Sequence, residues 1–290
     1  MGLRDILVVL DEGPAADERL RLATRIAREQ GACLSAVFLQ SDRPIRSRST
    51  PQGLQNAFTL GSSSILVGAT ASVEGDACEA RIECLEQHLR DCLRSVDDVG
   101  EWYCIRRPEP GALLTLAKAA DLVVIGQVDP NVGANPSWYR PEEILVNCGR
   151  PVLMVPYIGT FDAAGRRVLI AWDGSREAVR AVNDALPILH PAKRVTLMTV
   201  RAQTWDFQPD RIPMQNMVRH LARHGIVAEA DETLRGDNTV HDVLLSRTVD
   251  IAADMIVAGA YHRSPLREAL IGGVSRGLLQ TMTVPVLMSH

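Results

Sequence analysis

The sequence predicts an α/β fold in which one unit is written twice, each copy a five-stranded parallel sheet with helices on both faces. Three observations predict it. First, landmarks recur in the same order: "DILVVLDEG" (5–13) returns as "RVLIAWDGS" (167–175), "AADLVVIGQ" (119–127) as "AADMIVAGA" (252–260), and "RPVLMVPY" (150–157) as "VPVLMSH" (284–290). Second, strand-like and helix-like stretches alternate between the landmarks, as parallel strands joined by helical crossovers require. Third, runs such as "DLVVIG" and "DMIVAG" are continuously apolar, the pattern of central strands buried on both sides.

In the second copy the elements follow in order. "RVLIAW" is a buried strand, and "REAVRAVNDALPIL" has helical spacing, with Ala178, Val179, Val182 and Leu186 near one face. "RVTLMTV" is the second strand, and "PMQNMVRHLARHG" is a helix closed by Gly225. "IVAEADETL" is the third strand; "DNTVHDVLLSRTVDIAA" is a helix with an Asp or Asn cap. "DMIVAGA" is the fourth strand, "LREALIGGVSRGLLQTM" a helix, and "VPVLMS" the fifth strand.

The copies are divided near "YIGTFDAAG" (157–165), which has turn chemistry and no apolar period. This places an N-terminal domain at 1–157 and a C-terminal domain at 165–290. The offset between landmarks shrinks along the chain from about 162 to about 133, so the first copy carries extra residues. They fit the Ser-, Pro- and Gly-rich stretch 41–64, which reads as a long loop with at most a short helix. "PVLMVP" and "PVLMS" end the two copies and leave an edge to be covered. Pairing of the halves there provides the cover, with each half keeping its own sheet rather than entering one continuous sheet.

Composition excludes several function classes. A chain of 290 residues suits two domains, and 46% hydrophobic with 23% charged residues is ordinary for a globular protein. The net charge is −4, and the basic cluster "RPIRSR" (43–48) stands alone, so nucleic-acid binding has little electrostatic support. No apolar stretch reaches the ~18 residues of a membrane helix. The N-terminus lacks the basic-then-apolar order of a secretory signal, and Ile6 stands where a myristoylation motif wants Ser or Thr. Six cysteines fall in the first half without a CxxC pair, which fits a reducing cytoplasm. Cys78, Cys84 and Cys92 share one helix-like stretch and read as buried apolar filler, with a redox role as the alternative. Seven scattered histidines show neither HxH nor HExxH spacing, so no metal site is expected.

Each half resembles the universal stress protein (UspA) domain, and the resemblance covers nearly the whole chain as a tandem pair. The strand ending in Asp within "AWDGS", the segment "AADMIVAGAYHRS" and the closing "GGVSRGLLQTMTVPVLM" carry it. It implies a Rossmann-like sheet of the adenine nucleotide alpha hydrolase-like kind. It implies pseudo-twofold pairing of the halves near the last strand, and is compatible with a homodimer. Nucleotide-binding members share a glycine pattern: Gly, two residues, Gly, nine residues, then Gly followed by Ser or Thr. Gly259 and Gly272 match it here, whereas His262 replaces the second glycine and Gly273 the hydroxyl residue. Ser275 offers a hydroxyl two residues on. Asp173 matches the family's acid at the end of the first strand, followed by Gly174, and the end of the second strand puts Val200 beside it.

Glycines let backbone N–H groups approach phosphate oxygens, and a helix N-terminus adds partial positive charge. His262 brings bulk and a donor, and Arg263 a full positive charge. Binding of ATP or another adenine nucleotide, with Mg where it is a triphosphate, is therefore expected in the C-terminal half. The same glycines could instead serve helix-on-sheet packing, Asp11 and Asp173 could be turn residues, and His262 a solvated loop residue. In the first half Asp129 stands in the second glycine's place and "PEEILVN" replaces the glycine–Ser element, so that site reads as lost.

No GxSxG elbow, Walker lysine or ordered catalytic set is present, so no catalysis is expected beyond at most weak nucleotide hydrolysis. The function read from the sequence is a cytoplasmic stress-response or signalling module with a nucleotide in its C-terminal domain. The alternative is a structural or interaction protein that binds no nucleotide and acts through its surfaces or dimer interface.

Overall fold

A computed structural model describes residues 2–40, 66–67, 75–93, 99–105, 110–129, 139–202, 212–260 and 273–290. The first half contributes β1 (Asp5–Leu10), α1 (Ala15–Gln30), β2 (Cys33–Leu39), β3 (Leu66–Val67), α2 (Gly75–Leu93), β4 (Val99–Ile105), α3 (Pro110–Ala119), β5 (Leu122–Gly126), α4 (Pro141–Asn147) and β6 (Val152–Val155). The second contributes β7 (Arg167–Ala171), α5 (Arg176–Leu189), β8 (Arg194–Arg201), α6 (Met214–Arg223), β9 (Ala228–Leu234), α7 (Val240–Asp250), β10 (Met255–Gly259), α8 (Gly273–Thr281) and β11 (Val286–Ser289). The loop expected at 41–64 lies outside the described residues.

The strand order is β3-β4-β2-β1-β5-β6-β11-β10-β7-β8-β9. Within each half the pairings are parallel, and β4-β2-β1-β5-β6 repeats as β9-β8-β7-β10-β11. The first half adds the two-residue β3 outside β4, a strand the sequence reading lacked.

The expectation of two separate sheets is corrected: the described strands form one eleven-stranded sheet. The cause is the edge pairing itself. β6 and β11 satisfy each other's open N–H and C=O groups as an antiparallel pair, and that bonding makes two sheets one. The register pairs Leu153 with Leu287, Met154 with Val286 and Val152 with Met288. Leu153 and Leu287 hold the same place in the two "PVLM" repeats, so a pseudo-twofold axis passes between them.

Two hydrophobic cores lie on opposite faces of this sheet. One packs α1, α2, α5 and α6 around Leu20, Leu34, Leu85, Val182 and Leu221. The other packs α3, α4, α7 and α8 around Leu113, Leu145, Leu244 and Leu278. Both cross the seam. On the first face Gln30 Nε2 donates to the Pro187 carbonyl at 3.1 Å, and Phe161 N–H to Glu18 at 2.6 Å. On the second, buried Gln127 donates to the carbonyl of Leu279 at 2.9 Å.

Local differences from the sequence reading have simple causes. The α5 stripe turns slightly: Ala178, Ala181, Val182, Ala185, Ile188 and Leu189 are buried, while Val179 and Leu186 are half-buried flanks. Thr239, rather than an Asp or Asn, caps α7, its hydroxyl accepting from Asp242 N–H at 3.3 Å. Gly225 closes α6 with φ +76°, a conformation suited to glycine. In α2, Cys84 is exposed, so the filler reading fails for it; the Cys78 and Cys92 side chains lie outside the described ones. Cys148 is buried, and that burial pushes its thiol pKa up. No helix among the described residues is long and apolar enough to cross a membrane.

Candidate functional site

In the second half β7 is flanked by β8 and β10. The chain winds outward from β7 through β8 to β9, then returns to β10 on the other side. Between the carboxyl ends of β7 and β10 the strand order reverses, and at such a switch point the crossovers diverge and leave a crevice. A cavity of about 270 Å³ opens there. Its strand-end walls are Ala171, Trp172, Met198, Val200, Ala258 and Gly259; α7 adds Val240 and Leu244, and α8 adds Leu278. Asp173, Ser175 and Glu177 come from the start of α5, and Gly273, Val274 and Ser275 from the start of α8.

Asp173–Gly174–Ser175 is a preorganised turn. Gly174 takes φ +76°, which a side chain would strain. Asp173 Oδ1 accepts from Ser175 N–H at 2.9 Å and from its hydroxyl at 2.6 Å. Ser175 in turn caps α5 by accepting from Ala178 N–H at 3.2 Å. Asp173 thus plays the turn role, and the residue that shapes the turn is also among those lining the cavity. Ser175→Ala should cost about 1 kcal/mol through the lost cap and loosen Asp173; urea unfolding at constant m checks it.

Gly259 ends β10 against the first turn of α5. A Cβ there would stand 2.6 Å from Ala178 N and 2.6 Å from Glu177 C, so glycine is what lets strand and helix meet at the cavity floor. Its packing role and its place in the wall are one geometry. At Gly273 an added Cβ would meet nothing within 4 Å among the described residues. Ser275 is buried in the wall.

Of the residues singled out in the sequence, Asp173, Val200, Gly259, Gly273 and Ser275 converge on this cavity. Gly174 shapes the turn without lining it. His262, Arg263 and Gly272 lie outside the described residues. Sequence reasoning missed Trp172 and Glu177. Trp172 is 4% exposed and donates from Nε1 to the Ile212 carbonyl at 3.2 Å, so its ring is fixed as an apolar wall. Glu177 is 5% exposed and pairs with Arg176 at 2.5 Å. Its signal was position: an acid in the first turn after a Ser cap, beside the switch point.

Among the described lining residues the charged ones are Asp173 and Glu177. Carboxylates accept hydrogen bonds from hydroxyl and amino groups and oppose phosphate. The starts of α5 and α8 bring helix N-termini, which favour anions. The cavity thus combines an apolar slot, two acceptors and two helix starts. Among the described residues there is no cluster of three or more His, Cys, Asp or Glu that could hold a metal.

In the first half, Asp11 accepts from Gly13 N–H at 2.7 Å, the turn role expected of it. It also forms a buried ion pair with Arg19 at 2.6 Å, which the sequence reading did not foresee. "PEEILVN" folds as α4, and Asp129 is half-buried.

Residues 165–290 match the model of the Universal stress protein family. Curated proteins give no match to this chain. Among solved structures, a universal stress protein from Archaeoglobus fulgidus DSM 4304 is similar with a TM-score of 0.67 at 14% identity, over 98% of this chain and 95% of that one. A protein named as a universal stress protein from Pseudomonas aeruginosa UCBPP-PA14 has a TM-score of 0.57 at 17% identity, over 99% of this chain and 93% of that one. A functionally unknown protein from Pseudomonas aeruginosa PAO1 has a TM-score of 0.55 at 18% identity, over 99% and 92% of the two chains. At these identities the likeness is one of fold, and it extends through both halves.

Proposed function

Because residues 165–290 match the model of the universal stress protein family, we propose that the chain is a tandem stress-response module, with domains at 1–157 and 165–290. Its C-terminal cavity holds an adenine nucleotide, ATP or AMP, and no catalytic role is assigned. The observation that carries this reading is the convergence of Asp173, Val200, Gly259, Gly273 and Ser275 on one cavity at the switch point. In this reading the apolar slot beside Trp172 and Val200 takes the base. Asp173 accepts from ribose hydroxyls, and the helix starts with Ser275 meet the phosphate end. At about 270 Å³ the cavity is near the small end of ligand pockets, ~300–1,000 Å³, a size that suits the nucleoside portion. A bound triphosphate would bring Mg with it.

The test is direct. Protein purified without added nucleotide, heated and examined by mass spectrometry, should release an adenine nucleotide, and calorimetry with ATP should give at most one site per chain. Two equivalent sites would refute the assignment to one half. Gly273→Ser restores the family hydroxyl at a position where a Cβ meets none of the described residues within 4 Å. One added hydrogen bond is worth ~0.5–1.5 kcal/mol, so ATP affinity should rise up to about tenfold. His262→Gly should tighten binding if bulk is the obstacle, and the double variant should exceed either. If His262 is instead a phosphate donor, wild-type binding should strengthen as pH falls through about 6.5, and His262→Gly should weaken it.

A second reading is favoured by one observation: both charged residues in the described lining are acids. An interaction protein that binds no nucleotide would have no need of a cation there. Absence of ATP binding in wild type and all three variants would decide for it.

A further inference from the structure

The buried pair of the first half fills the counterpart of the second-half cavity. Asp11 corresponds to Asp173, each closing the first strand of its copy, and Gly126 to Gly259, each ending the strand beside it. In the second half Asp173 and Gly259 line the open cavity. In the first, Arg19 reaches from α1 across this space. Its Nη2 lies 2.6 Å from Asp11 Oδ2, and a Cβ on Gly126 would overlap its guanidinium.

Arg19 is 2% exposed and stands on the apolar stripe of α1 with Ala16, Leu20, Ala23 and Ala27. A charge on such a stripe is costly unless a partner meets it. Only part of the guanidinium is met, since Arg19 Nε is buried without a hydrogen-bond partner among the described residues. Tyr139, 5% exposed, stands just before α4, and its hydroxyl is likewise buried without a hydrogen-bond partner among the described residues. Burial pushes that hydroxyl's pKa far up, with the Arg19 charge opposing and the Asp11 and Glu142 charges adding. The second copy has Ala181 at the step corresponding to Arg19, and Gly273 where the first has Tyr139.

We propose that Arg19 is the specificity-determining residue that leaves the chain one ligand cavity rather than two: its guanidinium is a built-in occupant of the first-half cleft, held by Asp11 over Gly126. The proposal rests on the reading of the second-half cavity as a ligand site. It explains one-sidedness by occupancy, independently of Asp129 and "PEEILVN". Arg19→Ala exchanges the occupant for an empty cleft with an anionic end, and that cleft takes a small alkylguanidinium.

The experiment compares thermal unfolding of the full chain, wild type and Arg19→Ala, in millimolar methylguanidinium chloride and in matched sodium chloride. Leaving Asp11 buried without its cation should lower Tm by about 10 °C. Methylguanidinium should restore several degrees to Arg19→Ala and none to wild type, and calorimetry should find one methylguanidinium per variant chain. Arg19→Gln keeps a donor near Asp11 and is the milder variant; it should show the same selectivity with smaller amplitude, and serves if Arg19→Ala does not fold. Equal responses in wild type and variants, or an unchanged Tm on removing Arg19, would overturn the proposal. ATP titration of the same proteins separates the two readings: failure of ATP to bind any of them sinks the nucleotide assignment, whereas a failed rescue with intact ATP binding sinks the role of Arg19.

Discussion

Leu287→Asp will unfold the molecule or split its sheet at the seam. Leu287 is fully buried in the antiparallel pairing of β6 and β11, opposite Leu153. A carboxylate there would sit within the hydrophobic cluster to which Leu287 belongs, and the lost contacts on both strands add to its desolvation. A cost of about 4–5 kcal/mol or more is expected, comparable with the whole stability of a domain at ~5–15 kcal/mol. Urea unfolding by circular dichroism should show a collapsed or biphasic transition, and limited proteolysis should cut between the halves. Val227→Asp, at a residue 86% exposed, is the control and should stay within about 0.5 kcal/mol of wild type. Equal stability of the two variants would mean that the seam does not hold the halves together.

The second large effect belongs to Gly259→Val. The colliding atoms are backbone atoms of α5 at 2.6 Å, which cannot rotate aside as a side-chain end can. Overpacking of this kind costs ~1–3 kcal/mol for modest insertions, and valine adds two methyl groups beyond the Cβ, so a loss at or above about 3 kcal/mol is expected. Relief requires α5 to move off β10, which displaces Asp173 and Ser175. ATP binding should then fall more than tenfold even where the variant folds. Gly273→Ala, with nothing within 4 Å among the described residues, should be nearly silent in stability. A Gly259→Val protein that kept both its melting temperature and its affinity would disprove the close approach of strand and helix.

Much of this molecule was legible because its signals are local and written twice. "RVLIAW" and "DMIVAG" are buried on both sides and read as such; their strands lie side by side at the switch point. The cavity-lining residues that could be read were those tied to backbone demands: glycines at strand and helix ends, an acid at a turn. What stayed hidden depends on which residues meet across the sheet. Arg19 shows why. Read along the helix it is one charge on an apolar stripe, and only the fold brings Gly126 beneath it and Asp11 beside it. Trp172 was hidden for a similar reason, since a tryptophan closing a strand could face either core or cleft. The join of the halves was foreseen in place but not in outcome: two edges that seek cover can find it in one another, and then no edge remains between them.

The covalent join across the pseudo-twofold axis also governs how the assembly responds to dilution. Two separate chains meeting through such an interface would part as their concentration falls, and their apparent stability would follow mass action. Here residues 156–166 tie the end of β6 to the start of β7. The partner edge is thereby present at an effective concentration set by chain length, in the millimolar range for a short flexible connection. Pairing of β6 with β11 is a unimolecular event. Its melting midpoint should be the same at nanomolar as at micromolar protein, so a drop in cellular abundance leaves each surviving molecule with its seam closed and its cavity formed.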